Sequence, residues 1–310
     1  MQKDFLSIHD LTQYEFHELL DLTREIKDNP DKYHKKLKNQ VLAMIFEKPS
    51  LRTRMTFEVG MQELGGKAIY LSPNEVQIGK RETAEDVGRN LERWVDGIII
   101  RTFAHENVVR LAKAVSIPVI NALTDLSHPC QGMADFFTLR EKKGGLSKVK
   151  LAYVGDGNNV CHSLMLAAAK AGSTMAVASP KGYEPNPEMV KLAREDGKET
   201  SFSLLITNDP RPAVKDADAV YTDVWASMGQ EQEKEARAKV FAPYQVNPEL
   251  MTAAKLDAIF MHCLPAHREE EVTASVFESP QSVVFDQAEN RLHFQKAMML
   301  ILMGKKEKHG

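Results

Sequence analysis

Lys48-Pro49-Ser50-Leu51-Arg52-Thr53-Arg54 gathers two hydroxyls and two guanidiniums within a few residues. Ser and Thr give short hydrogen bonds and Arg gives planar, paired ones, so the grouping suits a phosphate. A capped helix with exposed arginines is the alternative for this stretch taken alone. Other residues with chemical potential are scattered along the chain: Arg101, His128 with Gln131, Asn159, Asp223 with Ser227 and Met228, His262-Cys263-Leu264, and Arg291. Cys263 beside His262 suggests a thiolate nucleophile, and Cys with His262 and His267 suggests zinc. Neighbours on a strand point to opposite faces, however, and no second Cys or carboxylate completes a zinc spacing. An isolated Cys is otherwise a small buried hydrophobe.

The elements that must position these groups follow an αβ alternation. Val41 to Phe46 is an apolar run, and Phe57, Met61 and Leu64 keep helical spacing after it. A strand thus delivers Ser50, Arg52 and Thr53 to a helix N-terminus, where unpaired N–H groups and the helix dipole favour an anion. Upstream, Thr12 and Glu15 form a capping-box pattern ahead of a packing helix. Lys67 to Leu71 and Gly97 to Arg101 predict further strands, with Arg101 at a carboxyl end, where parallel sheets collect ligands. Pro118 to Asn121 predicts a strand leading to His128 and Gln131 near a helix start. Successive strand ends of one series can therefore converge on one crevice. The loop Ser72 to Arg81, with Gln77 and Lys80, is dense in turn and polar residues.

Glu141 to Ser147, with its charges and paired glycines, is the candidate domain boundary. Beyond it, Val149 to Val154 predicts a strand running into Gly155-Asp156-Gly157-Asn158-Asn159-Val160. That turn reads either as a dinucleotide fingerprint, with Val160 in place of its third glycine, or as a tight turn presenting Asn159. Strands near 174–178, 203–206, 219–222 and 256–261 continue the pattern, and a final helix carrying Leu292, Met299 and Met303 follows Arg291. The fold class expected is α/β, with two domains, each a mainly parallel sheet flanked by helices.

The chain has 310 residues, 43% hydrophobic and 27% charged, with a net charge of −3. This length supports two cores, and the charge gives no large field for nucleic acid or an anionic membrane. Three scattered cysteines form no disulfide framework, and no apolar run nears the roughly 18 to 20 residues of a membrane span. A cytoplasmic protein is expected.

Taken in order, Ser50-Leu51-Arg52-Thr53-Arg54, Gln77, Arg101-Thr102, His128-Pro129-Cys130-Gln131, Asp223-Val224-Trp225-Ala226-Ser227-Met228-Gly229, His262-Cys263-Leu264-Pro265 and Gln287-Ala288-Glu289-Asn290-Arg291 resemble the transcarbamoylases. These are the aspartate/ornithine carbamoyltransferase superfamily, and the likeness is closest to its ornithine-using members. Leu51 stands where the family commonly has Thr and is read as packing, while Arg54 is read as structural. Lys80 falls where some relatives carry His or a phosphate-reaching Lys.

The resemblance implies a carbamoyl phosphate-binding domain over residues 1–142, with the C-terminal helix 290–310 packed back onto it, and an ornithine-binding domain over 147–289. It implies that ornithine's side-chain amine attacks carbamoyl phosphate, giving citrulline and phosphate, with no cofactor and no metal. By the same resemblance Ser50, Leu51, Arg52, Thr53, Gln77 and Arg101 belong to the phosphate site, with the Leu51 contribution coming from loop amides. Thr53, Arg101, His128 and Arg291 would polarise the carbonyl, and Gln131 with the backbone of Cys263 and Leu264 would orient the carbamoyl NH2. Asn159, Asp223, Ser227 and Met228 would bind ornithine, and Asp223 and Cys263 would assist deprotonation. Active sites shared across a homotrimer are implied, with Gln77 and Lys80 reaching a neighbour. The alternatives are a sister enzyme using putrescine, acylated ornithine or aspartate, a nucleotide-dependent oxidoreductase at Gly155-Asp156-Gly157, and a non-catalytic binding relative.

Overall fold

The computed structural model describes residues 2–79, 81–226, 229 and 231–304. The chain divides into two compact units, residues 1–130 with 291–310, and residues 131–290.

In the first unit, strands β1 (Val41–Phe46), β2 (Lys67–Leu71), β3 (Gly97–Arg101) and β4 (Val119–Leu123) form one parallel sheet in the order β2-β1-β3-β4. β3 and β4 are buried at every position, as strands covered on both faces must be, whereas edge strand β2 is partly exposed throughout. Helix α1 (Gln13–Asp28) carries the expected capping box, with Thr12 accepting from Glu15 N and Glu15 accepting from Thr12 N. Helices α2 (Leu51–Glu63), α3 (Ala84–Leu91) and α4 (His105–Ala114) follow their strands. Ile45, Ile98, Ile100, Val87, Val108 and Leu111 share one core. The C-terminal helix α9 (Val284–Met303) lies against α2 through its second half. A Cβ on Gly60 would stand 2.9 Å from the Met299 side chain, and Lys296 Nζ meets Glu63 at 2.6 Å.

The second unit is a five-stranded parallel sheet, β5 (Lys150–Val154), β6 (Thr174–Ala178), β7 (Ser203–Thr207), β8 (Ala219–Thr222) and β9 (Ile259–His262), in the order β7-β6-β5-β8-β9. Its helices include α5 (Pro129–Lys143), which begins two residues before the unit does, α6 (Asn159–Ala171), α7 (Pro187–Asp196) and α8 (Lys234–Phe241). Val154, Ala176, Val220, Phe260, Val272 and Phe277 pack in its core.

Both sheets reverse their winding at one point, between β1 and β3 in the first unit and between β5 and β8 in the second. Open αβ sheets take ligands at such points, outside the carboxyl ends of the strands. Two expected boundaries shift. The strand foreseen from Leu256 starts at Ile259, Leu256 itself being fully exposed. The last helix starts at Val284, so Arg291 sits within it rather than before it. No helix among the described residues is long and apolar enough to cross a membrane.

Candidate active site

At the first switch point, Phe46 pairs with Arg101 in register and Glu47 N donates to Arg101 O at 2.8 Å. The loop leaving β1 therefore starts beside Arg101. Ser50 is the N-cap of α2, extended at φ −159° and accepting from Thr53 N at 3.3 Å. Its hydroxyl satisfies one of the free amides of the first turn. Thr53 is buried, and its hydroxyl accepts from Arg291 Nη2 at 3.1 Å. That bond ties the α2 N-terminus to a helix more than two hundred residues away. Arg101 and His128 are each 6% exposed and Arg291 is 2% exposed. Burial pushes the His128 imidazole well below the usual histidine range, and the charges of Arg291 and Arg101 push it further. His128 is therefore neutral, flanked by two permanent cations.

Leu51 does not pack as expected: it is 73% exposed. The start of a helix projects outward, and only the face carrying Thr53 and Phe57 meets the core. Arg54 lies over the Tyr70 ring at 4.0 Å and pairs with Glu58, both within the scaffold. Gln77 is exposed on its loop, and Lys80 lies outside the described residues.

At the second switch point, Asp223 follows β8 and is buried. Its Oδ2 accepts from Asn158 Nδ2 at 2.7 Å, while its Oδ1 accepts from Val224 N at 2.8 Å and from Cys263 Sγ at 3.0 Å. Asn158, which the sequence reading passed over for Asn159, does double duty. Its Oδ1 accepts from Val160 N and Cys161 N, capping α6. A cap position before a helix was the one local signal that marked it. Asn159 occupies the first turn of that helix and is partly exposed. Ser227 and Met228 lie outside the described residues.

The thiolate role for Cys263 does not fit. Burial, then the neighbouring Asp223 carboxylate, raise its pKa well above the ordinary thiol value, so it stays a thiol and donates. Cys130 is likewise pushed up, to about 12, chiefly by burial. The separation of His262 from Cys263 is also corrected. Asp223, His262 and Cys263 bring ligand-type atoms within 4.8 Å of one another, because β9 ends at His262 and the chain turns at Leu264, φ +61°. Yet His262 Nδ1 accepts from Leu264 N at 2.9 Å and Nε2 meets Glu271 Oε1 at 3.1 Å. Both ring nitrogens are thus engaged in shaping the turn that presents Cys263 and Leu264, which leaves none for a metal.

Gln131 belongs to the second unit, where it donates from Nε2 to Asp135 Oδ1 at 2.8 Å. Asp135, Tyr221 and Glu271 are fully buried polar groups around this half-site with no mark in the local sequence. The Gly155-Asp156-Gly157 turn is filled by protein. Asp156 pairs with Arg237 at 2.9 Å, and a Cβ on Gly157 would fall 2.3 Å from Pro185 N. A dinucleotide pyrophosphate would need that space.

One doubly wound unit thus buries Thr53, Arg101, His128 and Arg291, and the other holds the buried, oriented carboxylate of Asp223. The carbamoyl-P binding domain model of aspartate/ornithine carbamoyltransferase matches residues 3–141, and the Asp/Orn binding domain model matches residues 147–302. The ornithine carbamoyltransferase of Thermococcus kodakarensis is 54% identical over 304 residues, 97% of this chain and 96% of that one. That of Anoxybacillus flavithermus is 55% identical over the same share of each. The solved structure of the Pyrococcus furiosus ornithine carbamoyltransferase superposes with a TM-score of 0.95 at 51% identity, covering 98% of both chains. The chain belongs to the aspartate/ornithine carbamoyltransferase family and is a transferase.

Proposed function

We propose that the protein transfers the carbamoyl group of carbamoyl phosphate to the side-chain amine of L-ornithine, giving L-citrulline and phosphate. The observation that carries this choice is Asp223, a buried carboxylate fixed by Asn158, Val224 N and Cys263. Such a group suits an α-ammonium, which N-acylated ornithine lacks. Identity above 50% to proteins named ornithine carbamoyltransferase supports the same choice.

The first unit binds carbamoyl phosphate. Ser50, Arg52, Thr53, Arg101 and the amides at Leu51 take the phosphate, and Arg101, Arg291, Thr53 and neutral His128 face the charge that gathers on the carbonyl oxygen. The second unit binds ornithine through Asn159 and Asp223, with Ser227 and Met228 as further ligands, and Gln131 with the Cys263 and Leu264 backbone takes the carbamoyl NH2. The substrate amine, with a pKa near the lysine value of about 10.4, sheds its proton before attack. Its lone pair adds to the carbonyl carbon, the carbon–oxygen bond to phosphate breaks, and the departing phosphate accepts a proton. Cys263, kept as a thiol, orients Asp223 rather than abstracting a proton. Orientation and fixed charge supply the rate.

A cytoplasmic homotrimer, with Gln77 and Lys80 reaching a neighbouring chain's site, completes the proposal; it takes no nucleic acid or membrane partner. Incubation with carbamoyl phosphate and each of ornithine, putrescine, N-acetylornithine and aspartate tests it. Citrulline from ornithine is expected, and turnover of putrescine without ornithine overturns it. Sedimentation at three times the 34.8 kDa chain mass tests the assembly.

A further inference from the structure

We infer that Asn121 is a positioning residue for His128, holding the chain on both sides of it, and that the N-terminal segment Asp4–Leu6 anchors Asn121 in turn. The inference rests on the proposal that His128 faces the carbonyl oxygen of carbamoyl phosphate. Asn121 is the one polar residue of β4, Val-Ile-Asn-Ala-Leu, and it is fully buried. A buried amide costs free energy unless it is hydrogen-bonded. Its Nδ2 donates to Leu6 O at 2.9 Å and to Ser127 Oγ at 3.0 Å. Its backbone O accepts from Cys130 Sγ at 3.5 Å, burial keeping that cysteine a thiol. Ser127 and Cys130 stand one residue before and two residues after His128. One residue of β4 therefore fixes both ends of the stretch Ser127-His128-Pro129-Cys130.

The Leu6 contact decides which way the amide faces. A backbone carbonyl can only accept, so the NH2 must lie on its side, and Ser127 Oγ is met by the same group. The segment carrying Leu6 is itself held, extending the sheet beyond β4. Phe5 bridges Ile120 in parallel, Phe5 N donates to Val119 O at 2.9 Å, and Asn121 N donates to Phe5 O at 2.8 Å. Asp4 Oδ1 accepts from Val119 N at 2.9 Å. The loop after β4 is closed by Thr124 N donating to Ser127 O at 2.8 Å and Ser127 N to Thr124 Oγ1 at 3.2 Å. Those two bonds set the shape of the loop, and the Asn121 bond sets where it sits on the sheet. They act on the backbone that carries His128, not on its ring. Their loss should fall on the carbonyl half of the substrate and spare the proposed phosphate pocket of Ser50, Arg52 and Thr53.

Two measurements separate those halves: kcat/KM for carbamoyl phosphate with ornithine saturating, and the inhibition constant of inorganic phosphate, which has no carbonyl. Ser127→Ala removes one oxygen and should lower kcat/KM about fivefold, the worth of one hydrogen bond, with the phosphate constant within about twofold. A loosened first unit would shift both alike. Asn121→Ala should give the same split, and adding Ser127→Ala to it should lower kcat/KM little further, because the two substitutions share one bond. An unchanged kcat/KM in Ser127→Ala, an equal change in both constants, or additive losses in the double variant would overturn the inference. If Asn121→Ala does not fold, Ser127→Ala decides alone. A wild-type enzyme that makes citrulline, and whose His128→Ala variant keeps its kcat/KM, refutes the role of His128 and the inference with it. One that makes no citrulline refutes the proposed function on which both rest.

Discussion

Asn158→Ala removes two interactions at once, and their sizes can be separated. The Asn158 Oδ1 caps α6 by accepting from Val160 N at 2.9 Å and Cys161 N at 3.1 Å, and such a cap is worth about 1 kcal/mol. The Nδ2 bond to Asp223 at 2.7 Å has an ionised partner and is worth about 1.5–3 kcal/mol. Together the loss should lower unfolding stability by about 3 kcal/mol, since the two terms share one side chain and do not add fully. Only the second interaction bears on the proposed ornithine site. With one of its fixing donors gone, Asp223 must find a new orientation, and the ornithine KM should rise about tenfold, near 1.4 kcal/mol. Asn158→Ser separates the terms, because a serine hydroxyl caps a helix but is too short to span to Asp223. Urea melts should show Ser recovering about 1 kcal/mol of the stability that Ala loses, while steady-state kinetics show the ornithine KM still raised in both. If Ser restores the KM along with the stability, or Ala leaves it at the wild-type value, Asn158 does not act through Asp223.

Thr53→Val removes the hydroxyl between the α2 N-terminus and Arg291, so the carbamoyl phosphate KM should rise at least tenfold with ornithine binding little changed; equal effects on both substrates would refute the division of roles. The folded pKa of His128 lies well below 6.5, so its contribution to stability is complete above about pH 6.5 and is lost as pH falls through the folded value. Unfolding free energy measured from pH 7 down to 4 should thus decline less steeply in His128→Asn, and an imidazole titrating by NMR at or above 6.5 would contradict this. Cys263, held as a thiol, should react with iodoacetamide more slowly at pH 7.5 than a free cysteine, with fast alkylation there as the contrary result. Gly157→Ala forces a Cβ against the Glu184–Pro185 backbone and should cost several kcal/mol, read as a fall in melting temperature; a neutral effect would reopen that turn to a ligand.

Local signals in the sequence were strongest where apolar runs end in turn residues. Lys67–Leu71, Gly97–Arg101, Thr174–Ala178 and Ala219–Thr222 are strands over the residues expected, because their apolar runs stop at Ser, Thr or Asp. The capping box at Thr12 was equally legible. The start of the last helix at Val284, ahead of Arg291, was not legible, since β-branched residues are weak helix formers. Strand order could not be read at all, as β1 lies between β2 and β3 and β5 between β6 and β8 through contacts distant in sequence. The half-sites split along the same line. Ser50 and Thr53 announce themselves by type and spacing, whereas Asn158 meets Asp223 across 65 residues and Gln287 meets Asp135 across 152. No local period encodes such pairs. The exposure of Leu51 and the thiol state of Cys263 were likewise properties of surroundings rather than of neighbours in the chain.

The most direct measurement follows the carbon being transferred. Carbamoyl phosphate labelled with carbon-13 at its carbonyl, mixed with the protein and ornithine, should lose its signal as the ureido carbon of citrulline grows, with one phosphate released per citrulline formed. Phosphate released with no ureido signal, or a labelled product formed at the same rate without ornithine, would contradict direct attack by the ornithine amine.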